Sequence, residues 1–228
     1  MQFIDYRNDS APLYDTVVLR ADELGVKIRD WLAIDAMLAP LGAKPKGGVY
    51  HHDHSLRVGL LASEIATGLN SMSDVENYTP PKPLFFAGLL HDVGKALVPA
   101  CTLCATEKWT DEDKRNMEPH VMDGFRMLRD RFDFTAHVII WHHRFQSGGY
   151  PIELPGALQP FSEATLRQAR EYGKILMVAD VFDAMHRVNS ATAGKPLSPT
   201  EIKRRMMLLQ PDLLGDLVER LYDKGVLR

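Results

Sequence analysis

Apolar residues recur along most of this chain at the three- and four-residue spacings of amphipathic helices. No segment alternates apolar and polar residues as a half-buried strand would. The pattern therefore predicts an all-α fold. The predicted helices cover 15–41, with breaks at Gly25 and Pro40, then 52–69, a segment starting near Pro119, 134–143, 162–188, and one or two helices over 199–228.

Segment 84–92, which begins with the continuously apolar run LFFAGLL, fits a buried strand or a buried helix by its pattern alone. A glycine and a lysine follow it closely, and these residue types favour the end of a helix. Upstream, the glycine- and lysine-containing stretch 42–48 is typical of a linker. We therefore predict a helical N-terminal extension over 1–45 and a larger domain over 46–228.

The composition is that of an ordinary globular chain of 228 residues, with 45% hydrophobic and 25% charged residues. Its formal net charge of −3 provides no overall attraction to DNA or to an anionic membrane surface. No apolar run approaches the roughly 18–20 residues that a membrane-spanning helix requires, and the two cysteines cannot form a disulfide framework. We therefore expect a cytoplasmic protein with no membrane span and no DNA partner.

Nine histidines are the unusual feature of this composition, and several of them fall at predicted helix ends together with an aspartate. Helix ends let adjacent residues reach one pocket, although neighbours within a helix diverge by about 100°. A further aspartate lies inside the apolar sequence ILMVADVFDAM, where a lone buried carboxylate would be costly. The candidate metal ligands are His54, His91, Asp92, His120, His142, His143 and Asp180.

These side chains offer imidazole and carboxylate groups and no thiolate, which favours Fe, Mn, Zn or Ni over a structural zinc site. Seven candidate ligands exceed the need of one ion but fit two ions that share a bridging carboxylate. Two ions about 3.5–4 Å apart are a known arrangement for phosphoester hydrolysis, in which a coordinated water of lowered pKa attacks in line. The residues therefore indicate two-metal chemistry of this kind.

The remaining histidines have structural interpretations. We expect His137 and His186 to be hydrogen-bonded core residues, and His51 and His52 to belong to the linker or to cap a helix. Asp183 lies near the helix face that carries the candidate aspartate, but hydrogen bonds to neighbouring residues explain it equally well. Both interpretations of Asp183 stay open.

Three motifs occur in order along residues 50–190: HSLRV, HDVGK and VADVFDA. Together they resemble the HD superfamily of metal-dependent phosphohydrolases. The additional histidine in EPHVMDGFRML and the block HHRFQSGGYP resemble its HD-GYP branch. That branch is associated with hydrolysis of the bacterial messenger cyclic di-GMP, and the resemblance implies an HD-type helical bundle.

The resemblance also implies a site with two divalent ions per chain, Fe or Mn being favoured and Zn, Ni or Mg being alternatives. One ion would be surrounded by His54, His91, Asp92 and Asp180, and Asp92 would bridge to a second ion held by His120, His142 and His143. Asp92 and Lys95 would be the catalytic residues, with Lys95 contacting a substrate phosphate. The other implied substrate contacts are Arg57, Gly149, Tyr150, Pro151 and Lys195.

The chain departs from the family pattern at three places. Members with a third ion have a glutamate where this chain has Tyr50, so two ions are expected, and His51 would substitute only with an altered geometry. The family block commonly reads HHExxDGxGYP, whereas HHRFQSGGYP is one residue shorter and lacks the glutamate and the aspartate. The loop after the last motif has Lys195-Pro196 in place of an Arg-Pro-Tyr element. The periphery of the site is therefore altered.

Three functions follow as hypotheses. The first is hydrolysis of cyclic di-GMP to linear pGpG or GMP. The second keeps the metal centre but acts on another cyclic dinucleotide or on a nucleotide phosphate. The third is a catalytically weak HD-GYP module that binds a ligand or a diguanylate cyclase partner. The complete ligand set favours the first two, and the altered block keeps the third open. Regulation would come from the N-terminal segment, from a homodimer or from a separate regulatory protein.

Overall fold

The computed structural model describes residues 13–42, 51–71, 78–103, 110–146, 148–156, 161–186 and 197–228. Within these ranges every regular element is helical and no strand occurs, so the predicted all-α fold is confirmed. The helices are α1 (Leu13–Glu23), α2 (Ile28–Gly42), α3 (His51–Asn70), α4 (Pro81–Leu90), α5 (Ala100–Leu103), α6 (Asp111–Met117), α7 (His120–Met127), α8 (Asp133–Ile139), α9 (Glu163–His186), α10 (Pro199–Met207) and α11 (Pro211–Asp223), with a short 3-10 helix (Val93–Leu97) between α4 and α5.

Helices α3, α4 and α9 form the centre of the bundle. Their contact faces are apolar and buried, as illustrated by Leu61 of α3, Leu89 of α4 and Leu176 of α9. Burial of each such side chain contributes about 1.5–3 kcal/mol relative to leaving it exposed. The main core continues through residues of α8, α10 and α11, so the described helices are held together by a shared apolar interior.

Helices α1 and α2 confirm the predicted break at Gly25, which has a φ of +60° between them. The predicted break at Pro40 is wrong, because Pro40 lies inside the last turn of α2. A proline there removes only one late N–H donor, and the helix ends soon afterwards. Val17 and Leu38 belong to the main core. The predicted domain boundary after residue 45 lies outside the described residues and stays a prediction.

Of the two structures left open for segment 84–92, the helix is correct. Helix α4 runs to Leu90, and His91 is its C-cap residue. Asp92 then lies between α4 and the 3-10 helix, with φ and ψ of −105° and 7°. The end of α4 thus projects an adjacent histidine and aspartate from one place, as the motif predicted.

The predicted helix over 134–143 is too long, because α8 ends at Ile139. The backbone N–H groups of Trp141 and His142 donate to carbonyl oxygens three residues earlier, at 3.2 and 3.3 Å. This tighter winding replaces the α-helical pattern. His142 and His143 therefore lie in a turn after α8 rather than in its last turn.

The C-terminal part contains two helices, α10 and α11, separated at Gln210 with a φ of 49°. Helix α6 was not predicted, although Thr110 and Asp113 form a capping box at its start. None of the described helices is long and apolar enough to cross a membrane.

Candidate metal centre

The predicted metal ligands come from separate helices and meet at one buried place in the bundle. Burial of so many polar side chains together requires partners that satisfy them. His54 lies in the first turn of α3, His91 and Asp92 follow the end of α4, His120 begins α7, His142 and His143 lie in the turn after α8, and Asp180 lies within α9.

The first cluster consists of His54, His91 and Asp180, whose ligand atoms lie within 4.8 Å of one another. The Nε2 atom of His54 is 3.1 Å from Oδ1 of Asp180 and 3.2 Å from Nε2 of His91. The Nε2 atom of His91 is 3.7 Å from the same Asp180 oxygen. Three donor atoms thus surround one point, as the ligands of a divalent ion do.

The second cluster consists of Asp92, His120, His142 and His143, whose ligand atoms also lie within 4.8 Å of one another. The Nε2 atoms of His120 and His142 lie 3.4 and 4.0 Å from Oδ1 of Asp92. The other oxygen of Asp92, Oδ2, lies 3.3 Å from Nε2 of His91 and 3.6 Å from Nε2 of His54. One carboxylate therefore directs an oxygen to each cluster, which is the geometry of a bridging ligand.

Backbone carbonyl groups orient three of these histidines. A carbonyl oxygen only accepts, so each Nδ1 carries the proton and donates it. Each Nε2 atom is then directed to the clusters, as in a metal-ligating histidine. The Nδ1 atoms of His91, His120 and His142 lie 2.8, 2.6 and 2.5 Å from the carbonyl oxygens of Gly88, Met117 and Ile139 respectively.

A carboxylate orients His54 instead. The Nδ1 atom of His54 lies 2.7 Å from Oδ2 of Asp183, and Nε of Arg57 donates to Oδ1 of Asp183 at 2.7 Å. Asp183 is fully buried, so both of its oxygens need such partners. Of the two interpretations of Asp183, the structure supports a position directly behind the site. The sequence signal was its i,i+3 spacing from Asp180 on a helix.

Gly94 lets the two halves of the site approach each other. A Cβ atom at Gly94 would overlap the carbonyl oxygen of His120 and lie 2.6 Å from the backbone nitrogen of Gly124. Since backbone atoms cannot move aside as a flexible side chain can, only glycine fits there. The 3-10 helix therefore packs directly on α7, which brings Asp92 beside His120.

Burial and charge act in opposite directions on the two clustered carboxylates. Burial by itself raises the pKa of Asp92, but the charges of His91 and Lys95 hold it well below its usual range. Burial also raises the pKa of Asp180, and hydrogen bonds from His54 and His91 outweigh this and hold that pKa well below its usual range. Both side chains are therefore anionic at neutral pH.

Three of the clustered imidazoles have pKa values shifted in opposite directions. Burial lowers the pKa of His91, but Asp92 and Asp180 outweigh burial and raise that pKa to about 10. Burial lowers the pKa of His142 well below its usual 6.5 and that of His143 to about 3, and neighbouring histidines act in the same direction. These two rings of the second cluster are neutral, and a cation that binds to His91 displaces a proton.

The hydrogen bonding of the second cluster shows that its residues fit a divalent metal ion. Four buried atoms of the second cluster have no hydrogen-bond partner among the described residues, and such atoms are rare and costly in proteins. A cation among them satisfies all four, and Fe, Mn, Zn and Ni accept this imidazole and carboxylate donor set. The four atoms are Asp92 Oδ1, His120 Nε2, His142 Nε2 and His143 Nδ1.

The predicted catalytic lysine lies at the bridging carboxylate. The Nζ atom of Lys95 is 2.6 Å from Oδ2 of Asp92, and the Lys95 side chain is 13% exposed. Its ammonium group therefore offsets the charge of Asp92 and remains within reach of solvent. Two residues named by the sequence analysis, Lys195 and Tyr50, lie outside the described residues.

The predicted substrate contacts of the GYP segment, Gly149–Pro151, lie beside the second cluster. The ring of Tyr150 stacks on His143 with ring centroids 4.7 Å apart, and Gly149 and Pro151 flank it in the chain. Arg57, also predicted to contact substrate, donates from Nε to Oδ1 of Asp183. The structure thus brings Tyr150 to the clustered ligands and Arg57 to the carboxylate behind them.

The histidines for which structural roles were predicted belong to neither metal-binding cluster among the described residues. His51 is in the first turn of α3 and belongs to neither cluster, and Nδ1 of His52 is 3.1 Å from Oδ1 of Asp53. His137 is buried against two phenylalanine rings. His186 donates from Nδ1 to a backbone carbonyl one turn earlier in α9.

Comparison with protein families identifies a domain that contains the whole candidate site. The model of the HD domain matches residues 52–185, which is more than half of the chain. The chain belongs to the HD domain family. The seven clustered side chains lie within the matched HD range, and the membership predicted from the motifs is confirmed.

Curated relatives of this HD chain are cyclic-dinucleotide phosphodiesterases. A cyclic di-GMP phosphodiesterase of Thermotoga maritima is 33% identical over 151 residues, which are 64% of this chain and 37% of that protein. The cyclic di-GMP phosphodiesterase response regulator RpfG of Xanthomonas campestris pv. campestris is 29% identical over 56% of this chain and 30% of that protein. The 3'3'-cGAMP-specific phosphodiesterase 2 of Vibrio cholerae is 32% identical over 43% of this chain and 18% of that protein. The chain spans well under half the length of each relative.

Proposed function

We propose that this chain is a metal-dependent phosphodiesterase that hydrolyses cyclic di-GMP to linear pGpG or GMP. The position of Asp92 carries the proposal, because its two carboxylate oxygens face two clusters of metal-binding side chains. Relatives named as cyclic di-GMP phosphodiesterases support the substrate. Since the chain spans a minority of their length, the proposal concerns the activity of the HD domain itself.

Two divalent ions per chain belong to the proposal, with Fe or Mn favoured and Zn, Ni or Mg as alternatives. When bound, such a pair lowers the pKa of a coordinated water and offsets the charge of a phosphodiester. The first ion would be held by His54, His91, Asp92 and Asp180, and the second by Asp92, His120, His142 and His143.

Asp92 and Lys95 are the catalytic residues of the proposal. Asp92 stays anionic in the buried site and orients one oxygen to each cluster. The Lys95 ammonium group, 2.6 Å from Asp92 Oδ2, is a compact positive charge that attracts a phosphate oxygen to the same side of the carboxylate. Asp92 would therefore hold the ions, and the Lys95 ammonium group would attract the anionic substrate to the same centre.

The proposed substrate contacts also include Arg57, Gly149, Tyr150, Pro151 and Lys195. Tyr150 has the clearest support, because its ring lies beside His143 and His120. A diguanylate cyclase partner, a separate regulatory protein, a homodimer and a cytoplasmic location stay predictions.

A second candidate substrate is a different cyclic dinucleotide. The relative named as a 3'3'-cGAMP-specific phosphodiesterase favours it, at 32% identity. The altered HHRFQSGGYP block is a further reason. Residues around the metal centre, rather than the ions, determine which nucleotide bases the site accepts. Both candidates use the same proposed metal centre and differ only in the nucleotide.

A comparison of two substrates tests the proposal. The protein is purified without oxygen, its metal content is measured, and turnover of cyclic di-GMP and 3'3'-cGAMP is followed by chromatography. We expect two ions per chain, faster turnover of cyclic di-GMP, and no turnover by Asp92→Ala. Asp111→Asn is the matched control, because Asp111 is an exposed carboxylate of α6 paired with Lys114.

The outcomes separate the hypotheses. Faster turnover of 3'3'-cGAMP by the metal-loaded protein favours the second candidate. Binding of cyclic di-GMP with no turnover of either dinucleotide at full metal loading contradicts both enzymatic candidates and leaves the ligand-binding module.

A further inference from the structure

His143 differs from the other clustered histidines in how its ring is held. Each of the other four has Nδ1 hydrogen-bonded to a backbone carbonyl group or to a carboxylate. The Nδ1 atom of His143 is buried and has no hydrogen-bond partner within the part of the chain that the structure describes. In the other four histidines Nδ1 orients the ring, whereas in His143 Nδ1 is one of the four atoms assigned to the second ion. The orienting contacts of this imidazole therefore lie elsewhere on its ring.

The ring of Tyr150 provides that support. It stacks on the imidazole of His143 with ring centroids 4.7 Å apart and planes inclined by 27°. It also meets the ring of His120 edge to face, with centroids 6.0 Å apart. Tyr150 thus contacts two of the three imidazoles of the second cluster, in geometries that aromatic rings prefer.

The backbone of the GYP segment, Gly149–Pro151, lies directly on the backbone of the histidine turn. The N–H of Gly149 donates to the carbonyl oxygen of Gln146 at 2.9 Å. A Cβ atom at Gly149 would overlap the carbonyl oxygens of His143 and Arg144. The close approach therefore requires glycine at 149. It also places the next residue, Tyr150, at stacking distance from the ring of His143.

Arg144 fastens the far end of the same segment. Its Nη1 atom donates to the carbonyl oxygens of Pro151 and Ile152, the latter at 2.6 Å. Its guanidinium group also lies over the ring of Trp141, 5.6 Å from the centroid. The block that this chain resembles commonly has glutamate at this position, and a carboxylate cannot donate to carbonyl oxygens. The fastening is thus a property of this chain's own altered block.

We propose that Arg144 and Tyr150 are positioning residues for the second metal ion. Arg144 holds the GYP segment closed, and Tyr150 holds the imidazole of His143 in its ligating position. The inference rests on the metal centre of the proposed function and assigns the GYP segment a role in metal retention. The first cluster has its own supports at Asp183 and Gly88, and it should keep its ion when the GYP segment is altered.

Titration of the metal-free full chain with Mn²⁺ tests this inference without any substrate. Bound ions are counted by equilibrium dialysis and elemental analysis for the wild type, Tyr150→Leu and Arg144→Met. We expect the wild type to bind two ions and each variant to bind one of them about 10-fold or more weakly, with the other unchanged.

Two conservative variants and one matched control sharpen the test. Tyr150→Phe keeps the stacking ring and should bind both ions as the wild type does. Arg144→Lys keeps a donor for the two carbonyl groups and should recover part of the lost affinity. Arg170→Met is the control, because Arg170 also lies over Trp141, at 5.4 Å, but within the described residues it donates to neither Pro151 nor Ile152.

The inference is overturned by wild-type Mn²⁺ binding in Arg144→Met, by equal loss of both ions in a folded variant, or by a wild type that binds fewer than two ions. If Tyr150→Leu fails to fold, Arg144→Met and its lysine counterpart decide the question. A wild type that binds two ions but does not hydrolyse cyclic di-GMP contradicts the proposed function and leaves this inference standing.

Discussion

The imidazole of His54 and the carboxylate of Asp183 are joined by a 2.7 Å hydrogen bond between α3 and α9. The second oxygen of Asp183 accepts from Arg57, also at 2.7 Å. Arg57 thus fixes one oxygen of the Asp183 carboxylate, and the other oxygen fixes the ring of His54. Because Asp183 accepts from Nδ1, Nε2 of His54 faces the first cluster, 3.1 Å from Oδ1 of Asp180.

Removal of this carboxylate should weaken the first metal site selectively. In Asp183→Ala, His54 loses the partner that fixes its ring, and we expect metal affinity at the first cluster to fall by about 10–100-fold. Asp183→Asn retains an oxygen acceptor and should lose less. Mn²⁺ titration of both variants measures the effect, and an unchanged affinity in Asp183→Ala would show that the bond does not orient the ligand.

Arg57 has two competing roles that a double-mutant cycle separates. If Arg57 acts only through Asp183, then Arg57→Gln lowers metal affinity in the wild type and changes little further in Asp183→Asn. If Arg57 binds a substrate phosphate, as the motif resemblance implies, then Arg57→Gln raises the KM for cyclic di-GMP in both backgrounds. Metal affinity is measured by Mn²⁺ titration, and KM is measured at saturating Mn²⁺. Because Arg57 is a proposed substrate contact that also donates to Asp183, we expect both effects, and an unchanged KM in both backgrounds would remove Arg57 from the substrate site.

Gly94 and Gly215 form a matched pair for testing the close approach of the 3-10 helix to α7. An added Cβ at Gly94 meets the backbone of His120, whereas one at Gly215 in α11 meets nothing within 4 Å. We expect Gly94→Ala to lower the free energy of unfolding by about 1–3 kcal/mol and to weaken metal binding. Gly215→Ala should raise stability by about 0.4–1 kcal/mol. Denaturant unfolding measures both, and equal effects would contradict the packing argument.

Glu64 of α3 should make stability depend on pH independently of the metal centre. Burial raises the pKa of Glu64 to about 7, from a usual value of 4.5, although Arg20 acts in the opposite direction. The folded chain therefore keeps this proton to higher pH than the unfolded chain does. The resulting stability is complete below about pH 4.5 and is lost as the pH rises through about 7.

Glu64→Gln removes that loss, because the amide stays neutral at every pH. We expect the variant to melt at a higher temperature than the wild type at about pH 8, and the difference to shrink towards about pH 5. Thermal unfolding by circular dichroism across this range gives the comparison. A difference in Tm that does not vary with pH would rule out titration of Glu64 as its cause.

Periodicity was sufficient for the fold class because the helices bury apolar stripes. Most candidate ligands were identifiable because they lie at or next to helix ends, and Asp180 because it lies within an apolar stretch. Pro40 shows one limit of such reasoning, since a proline in a last turn costs the helix little. The end of α8 shows another, since the winding after Ile139 depends on how the turn packs rather than on local composition.

The supports of the ligands were harder to predict than the ligands. The bond between Asp183 and Arg57 joins residues 126 positions apart, so no local pattern identifies it. The role of Arg144 was missed because its acceptors are backbone carbonyl groups, which every sequence offers. The chemistry of a site is thus visible in residue types, whereas its orientation depends on tertiary contacts.

The most direct test of the central claim is the dependence of cyclic di-GMP turnover on the number of bound ions. Metal-free protein is loaded stepwise with Mn²⁺, and hydrolysis is measured at each known ratio of metal to chain, with Asp92→Ala in parallel. A centre bridged by Asp92 predicts little turnover up to one ion per chain, a maximum at two, and none in the variant. Full turnover with one ion, or none with two, would contradict the account.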